Sequence, residues 1–122
     1  MCAIDIHHHY LPESLLVQAR NGKSAGVQAK DTKPGETAIS FGSAPSFNVT
    51  HDLAGLKERF EAMERGKIAV GALIPHTSSL GYPLDGKDGE AWCRGYNEGI
   101  RDLTLKHPDR FVGLAAAPLQ DP

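Results

Sequence analysis

The sequence predicts an α/β fold built around a parallel sheet, and three observations support this. Residues 68–74 and 111–117 are near-continuous apolar runs, as expected of strands covered on both faces. Helix-period stretches separate them, with apolar residues recurring every three or four positions. The order strand, polar insert, helix, strand, loop, helix, strand is the alternation of βαβ units. Right-handed crossovers then place the helices outside the sheet.

The elements follow in order. Ala3, Ile4, Asp5 and Ile6 lead into His7 as a first strand over residues 3–7. Residues 11–17 suit a short helical turn with Pro12 near its start. Residues 20–50 turn polar and rich in Gly, Ser, Lys and Thr, punctuated by Val27/Ala29, Ile39/Phe41 and Phe47/Val49. Those alternating pairs predict two or three short, half-exposed strands, a small β insert after the first strand. From Asp52, Leu53, Leu56, Phe60 and Met63 mark one helical face, with Thr50 or Asp52 as N-cap and Gly66 as the C′ glycine. The strand over 68–74 stops at Pro75, and a loop over 75–88 carries His76, Thr77, Ser78, Ser79 and Tyr82. Asp88 can cap a second long helix whose stripe is Trp92, Tyr96, Ile100 and Leu103. Gly95 and Gly99 weaken that helix and point to close packing; His107-Pro108 ends it. Residues 111–117 form the third strand. Three strands cannot close a barrel, which takes about eight. Residues 1–122 therefore read as one incomplete domain, the first third of something larger.

Composition narrows the function classes. With 40% hydrophobic and 23% charged residues in 122, the chain fits one globular unit. The net charge of −2 and the lack of any Lys/Arg block argue against a nucleic-acid partner. No stretch approaches the ~20 apolar residues of a membrane span. No basic-then-apolar leader opens the chain, so a cytoplasmic location is expected. Cys2 and Cys93 are not ligand-spaced and read as free thiols.

The histidine run is the main chemical signal. Side chains alternate along a strand, so His7 and His9 face one way and His8 the other. Two neutral imidazoles on one side can bind a Zn²⁺-like ion at about 2.0–2.1 Å, which is half of a site. A tag remnant and a surface cluster without ligand role are the competing readings. Affinity tags are longer, and this run is embedded in Ile4-Asp5-Ile6-His7-His8-His9-Tyr10-Leu11-Pro12.

That segment resembles the IDxHxHxLP start of the amidohydrolase superfamily, in the branch of aminocarboxymuconate-semialdehyde decarboxylase and the resorcylate-type decarboxylases. Two more stretches are similar to that branch. They are Arg59 to Glu64 followed by Ile68-Ala69-Val70, and Tyr96-Asn97-Glu98 through His107-Pro108-Asp109-Arg110-Phe111 to Pro118-Leu119-Gln120-Asp121-Pro122. The resemblance implies the N-terminal part of a (β/α)₈ barrel with a divalent metal, usually zinc, at its C-terminal mouth. It implies His7 and His9 as two metal ligands. Arg59 matches the arginine that holds a substrate carboxylate, although a solvated helix-face charge is the competing reading. The implied substrate is a small carboxylated aromatic or unsaturated acid, and the implied outcome is decarboxylation or hydrolysis. The family's later histidine, late aspartate and proton-transfer histidine have no counterpart in this chain. His51 and His76 match no ligand position, and His107 belongs to the HPDRF segment. His76 stays a candidate pocket residue because it follows a strand. A chain of this extent is expected to lack turnover alone, with either self-association or a complementing chain as its partnership.

Overall fold

A computed structural model describes residues 3–121. Three strands, β1 (Ala3–Tyr10), β5 (Ile68–Pro75) and β6 (Phe111–Gly113), form a parallel sheet in the order β1-β5-β6. Between β1 and β5 come α1 (Glu13–Arg20), an antiparallel meander of β2 (Val27–Lys33), β3 (Glu36–Phe41) and β4 (Phe47–Thr50), then α2 (His51–Ala54) and α3 (Leu56–Arg65). A 3₁₀ turn, Thr77–Ser79, and α4 (Gly86–Lys106) connect β5 to β6.

The register and burial together assign the two faces of the parallel sheet. Gly71, Leu73 and Phe111 point toward the helices, and Leu73 and Phe111 are fully buried there. The other face is open among the described residues: Ile4 is 65% exposed, Ile6 78%, Val112 51% and Leu114 46%. Both β1 and β6 are edge strands, so each leaves one row of backbone groups unpaired in the sheet.

The insert folds as its alternation predicts. Val27, Ile39, Phe41 and Val49 are buried, and the Phe41 ring meets Trp92 of α4 edge-on at 5.3 Å. On its rim Arg20 donates to Thr37 Oγ1 at 2.7 Å and to Asp31 Oδ1 at 3.0 Å.

Several boundaries move. Helix α1 runs to Arg20, beyond the expected turn, because Leu15, Leu16 and Ala19 give it a buried face. The single helix expected from Asp52 is broken at Gly55, which is extended (φ −69°, ψ 123°). The apolar spacing runs unchanged through that break, so periodicity could not reveal it. Thr50 is the N-cap residue but makes no side-chain capping bond. Gly66 is right-handed, and Lys67 takes the left-handed conformation at φ 53°. Asp85, not Asp88, caps α4: its Oδ1 accepts the Asp88 N–H at 2.9 Å. Asp88 sits in the first turn, where its charge suits the helix dipole.

The third strand is three residues long rather than seven. Beyond Leu114 the segment pairs with a side chain instead of a strand: Asn97 exchanges two hydrogen bonds with the Ala116 backbone, at 2.9 and 2.7 Å. The small-residue expectation on α4 holds. A Cβ on Gly99 would come within 2.4 Å of Pro12 Cβ, and one on Gly95 within 2.8 Å of Leu15. These glycines let α4 lie directly on the turn that follows β1.

Candidate functional site

The C-terminal end of β1 is irregular, and this aims the histidines. Asp5 aligns with Gly71 and His8 with Leu73, so three steps along β1 match two along β5. The extra residue is a bulge at Ile6–His7. Ahead of it Asp5 lies on the helix side, opposite Gly71; after it His8 and Tyr10 lie on that side and His9 on the open one. In a regular strand His7 and His9 would share the side of Asp5, under the helices. The bulge transfers the pair to the open face.

There the two rings converge. His7 Nε2 and His9 Nε2 are 3.0 Å apart, with ring planes at 89°. Two ligands at tetrahedral angles about one zinc ion would place their nitrogens about 3.3 Å apart, so this pair fits two corners of such a site. Among the described residues no group of three or more metal-ligating side chains is assembled.

His76, at the end of β5, flanks the pair. Its ring lies 5.1 Å from that of His9, and Nδ1 of each is buried without a hydrogen-bond partner. Burial is the main reason the His76 imidazole sits below its ordinary pKa, with His9 adding to the effect. His51 opens α2, and His107 ends α4 against Phe60 and Phe111; neither joins this cluster.

A tyrosine ties the two strand ends together. Tyr96 of α4 is fully buried; its hydroxyl accepts the His76 N–H at 3.1 Å and donates to the Tyr10 carbonyl. Ser79 Oγ lies 2.9 Å from the same oxygen and donates to the His76 carbonyl at 2.7 Å. Trp92 Nε1 closes the knot on the Ser79 carbonyl at 2.7 Å. Burial pushes the Tyr96 phenol up to about 12. Sequence spacing marks Tyr96 only as stripe; the signal for more was the polar tip of a tyrosine bound for a core.

Arg59 lies on the helix side of the sheet. It is 4% exposed, and its Nη2 donates to the carbonyls of His9, Asp52 and Leu53, each at 3.0 Å. The guanidinium also rests 5.1 Å from the Tyr10 ring centroid, and Nε is buried without a partner. The cavity beside it, about 400 Å³, is lined by His8, Asp52, Glu58 and Arg65, not by His7 or His9. The structure thus brings Arg59 to the His9 backbone but not to the face carrying the His7–His9 rings.

No family model matches the chain. Solved structures do. Over 98% of its length the chain is similar to a Staphylococcus aureus protein provisionally assigned as an amidohydrolase, at 18% identity and a TM-score of 0.62, spanning 30% of that chain. Over its full length it is similar to 2,6-dihydroxybenzoate decarboxylase from Rhizobium, at 21% identity and a TM-score of 0.61, spanning 32% of that chain. A 2,6-dihydroxybenzoate decarboxylase complexed with 2,6-dihydroxybenzoate gives 21% identity, a TM-score of 0.62 and 33% of its length. At these identities the likeness shows the fold alone: an α/β segment corresponding to the N-terminal portion of a (β/α)₈ barrel. The chain spans about a third of the length of the structures it matches. The described helices include none long and apolar enough to cross a membrane.

Proposed function

We propose that this chain forms the N-terminal portion of a metal-dependent enzyme of the amidohydrolase type, a decarboxylase or hydrolase acting on a small carboxylated aromatic or unsaturated acid. The observation that supports this best is the convergence of His7 Nε2 and His9 Nε2 at the C-terminal rim of a parallel sheet. That rim is where barrels of this class gather their chemistry. His7 and His9 would hold a divalent cation, with zinc the expected ion. When bound, the ion supplies Lewis-acid polarisation.

The remaining steps belong to the protein. His76, whose ring flanks that of His9, would contribute a hydrogen bond to a group seated beside the pair. Tyr96 holds the β1 and β5 ends at fixed separation, so the two rings meet a ligand without rearrangement. Arg59 anchors the rim through three carbonyls. A role for Arg59 toward a substrate carboxylate would require its guanidinium, now buried on the helix side, to be uncovered toward the ring face. Named neighbours add a class of substrate: two are decarboxylases of a dihydroxybenzoate, a carboxylated aromatic.

Zn²⁺ titration of the wild-type chain and of His7→Ala/His9→Ala tests this reading. Wild type is expected to bind one ion and the double variant none, with thermal unfolding unchanged because both rings lie on the open face. Equal uptake by both proteins overturns it. Arg59→Lys should leave Zn²⁺ uptake intact while weakening retention of 2,6-dihydroxybenzoate.

A further inference from the structure

Asp5 and His8 lie in the same strand as the ring pair, and their side chains pair with each other instead. The His7 N–H donates to Asp5 Oδ1 at 3.0 Å, a two-residue span that closes an Asx-type turn across the bulge. The second carboxylate oxygen, Oδ2, meets His8 Nδ1 at 2.9 Å on the helix side. Accepting the His7 N–H is the largest reason the Asp5 carboxyl sits below its ordinary pKa. His8 is itself wedged: a Cβ on Gly71 would come within 3.2 Å of its Nδ1. The glycine opposite the bulge therefore leaves room for the ring, and the ring fixes the carboxylate.

We infer that Asp5 and His8 are positioning residues, a brace on the covered face that holds the Ile6–His7 bulge and so aims His7 at His9 on the open face. The three consecutive histidines divide into two donors and a strut. The consequence for metal rests on the function proposed above; the brace itself does not. Without the Asp5 acceptor, the His7 amide is freed and the bulge can slip along β1. A slip by one residue carries the His7 side chain to the opposite face. Groups that orient a ligand from behind typically change metal affinity by about 10–100-fold when removed.

The experiment compares wild type, Asp5→Ala, Asp5→Asn and His8→Phe with two readouts. One is hydrogen exchange of the His7 amide in the metal-free chain, by NMR. The other is Co²⁺ titration followed by its visible absorption. In Asp5→Ala the His7 amide should exchange several-fold faster, and Co²⁺ affinity should fall about 10–100-fold. Asp5→Asn should rescue both to near wild type, because its amide oxygen accepts from His7 and its NH₂ donates to His8 Nδ1. His8→Phe keeps a ring against Gly71 but leaves Oδ2 unanchored, and should fall between the two. Unchanged His7 exchange in Asp5→Ala overturns the brace, as does an Asp5→Asn variant no better than Asp5→Ala. Should Asp5→Ala fail to fold, His8→Phe decides: wild-type exchange and affinity there overturn the inference. A wild-type chain that takes up no Co²⁺ overturns the metal reading alone, and the His7 amide still decides the brace.

Discussion

The two faces of the parallel sheet differ sharply in burial. On the helix side Leu73, Phe111, Tyr10 and Tyr96 are buried, and the Tyr96 hydroxyl is hydrogen-bonded to both strand ends. On the other side Ile4 and Ile6 stand in solvent, and the His9 and His76 rings keep buried nitrogens without partners. The first face carries the packing, and the second carries the proposed metal ligands. The bulge between Asp5 and His8 is where β1 moves the His7 and His9 side chains from one to the other.

The covered face should respond most strongly to loss of volume. Leu73 is fully buried in the middle strand, with the helices over it. Leu73→Ala removes that volume where backbone on both sides is hydrogen-bonded and cannot collapse. The expected cost is about 2–5 kcal/mol, read as a lower midpoint of urea unfolding at unchanged slope. A cost near zero would mean that the helix side is no better packed than the open one.

Much of this asymmetry is legible in the amino-acid order. Apolar runs over 68–74 and 111–117 locate two strands, and the Trp92, Tyr96, Ile100, Leu103 stripe locates the helix that covers them. Small alternating pairs find the insert strands. The facing of His7 and His9 follows from strand alternation alone. What that alternation misses is which face they share, because a bulge adds a residue without disturbing the local pattern. The role of the Tyr96 hydroxyl is hidden for a related reason. Its partners, the Tyr10 carbonyl and the His76 N–H, are backbone groups that every residue carries. The short β6 is missed because apolar content at 114–117 does not by itself require pairing: only Ala116 is buried there, and it pairs with the Asn97 side chain.

The covered face also predicts a response to alkali. In the folded protein the Tyr96 phenol is raised from its ordinary value near 10 to about 12, burial being the main cause. The unfolded chain therefore loses this proton first. The contribution is fully present below about pH 10 and is lost as the pH rises toward 12, a change of ~3 kcal/mol. Denaturation from about pH 9 to about pH 11.5 should show this decline, and Tyr96→Phe should flatten it. Burial raises Tyr10 as well, so a shallower slope remains in the variant. An unchanged profile in Tyr96→Phe would place the alkaline sensitivity elsewhere.

The smallest effect is expected on the open face, and it is the sharpest test of the comparison. Ile6 is apolar, strand-borne and only four residues from the buried end of β1, yet it is 78% exposed. In this chain its side chain removes little surface from water, so Ile6→Ser should change unfolding free energy by no more than about 0.5 kcal/mol. The same substitution in a strand covered on both sides would cost several times more, through lost transfer energy and a buried hydroxyl. Urea unfolding of Ile6→Ser at two protein concentrations separates the cases. A small, concentration-independent change keeps the face open. A loss matching Leu73→Ala that shrinks on dilution, as the wild type itself loses stability, would mean another copy of the chain covers Ile6 in solution, and the two faces would then differ in partner rather than in burial.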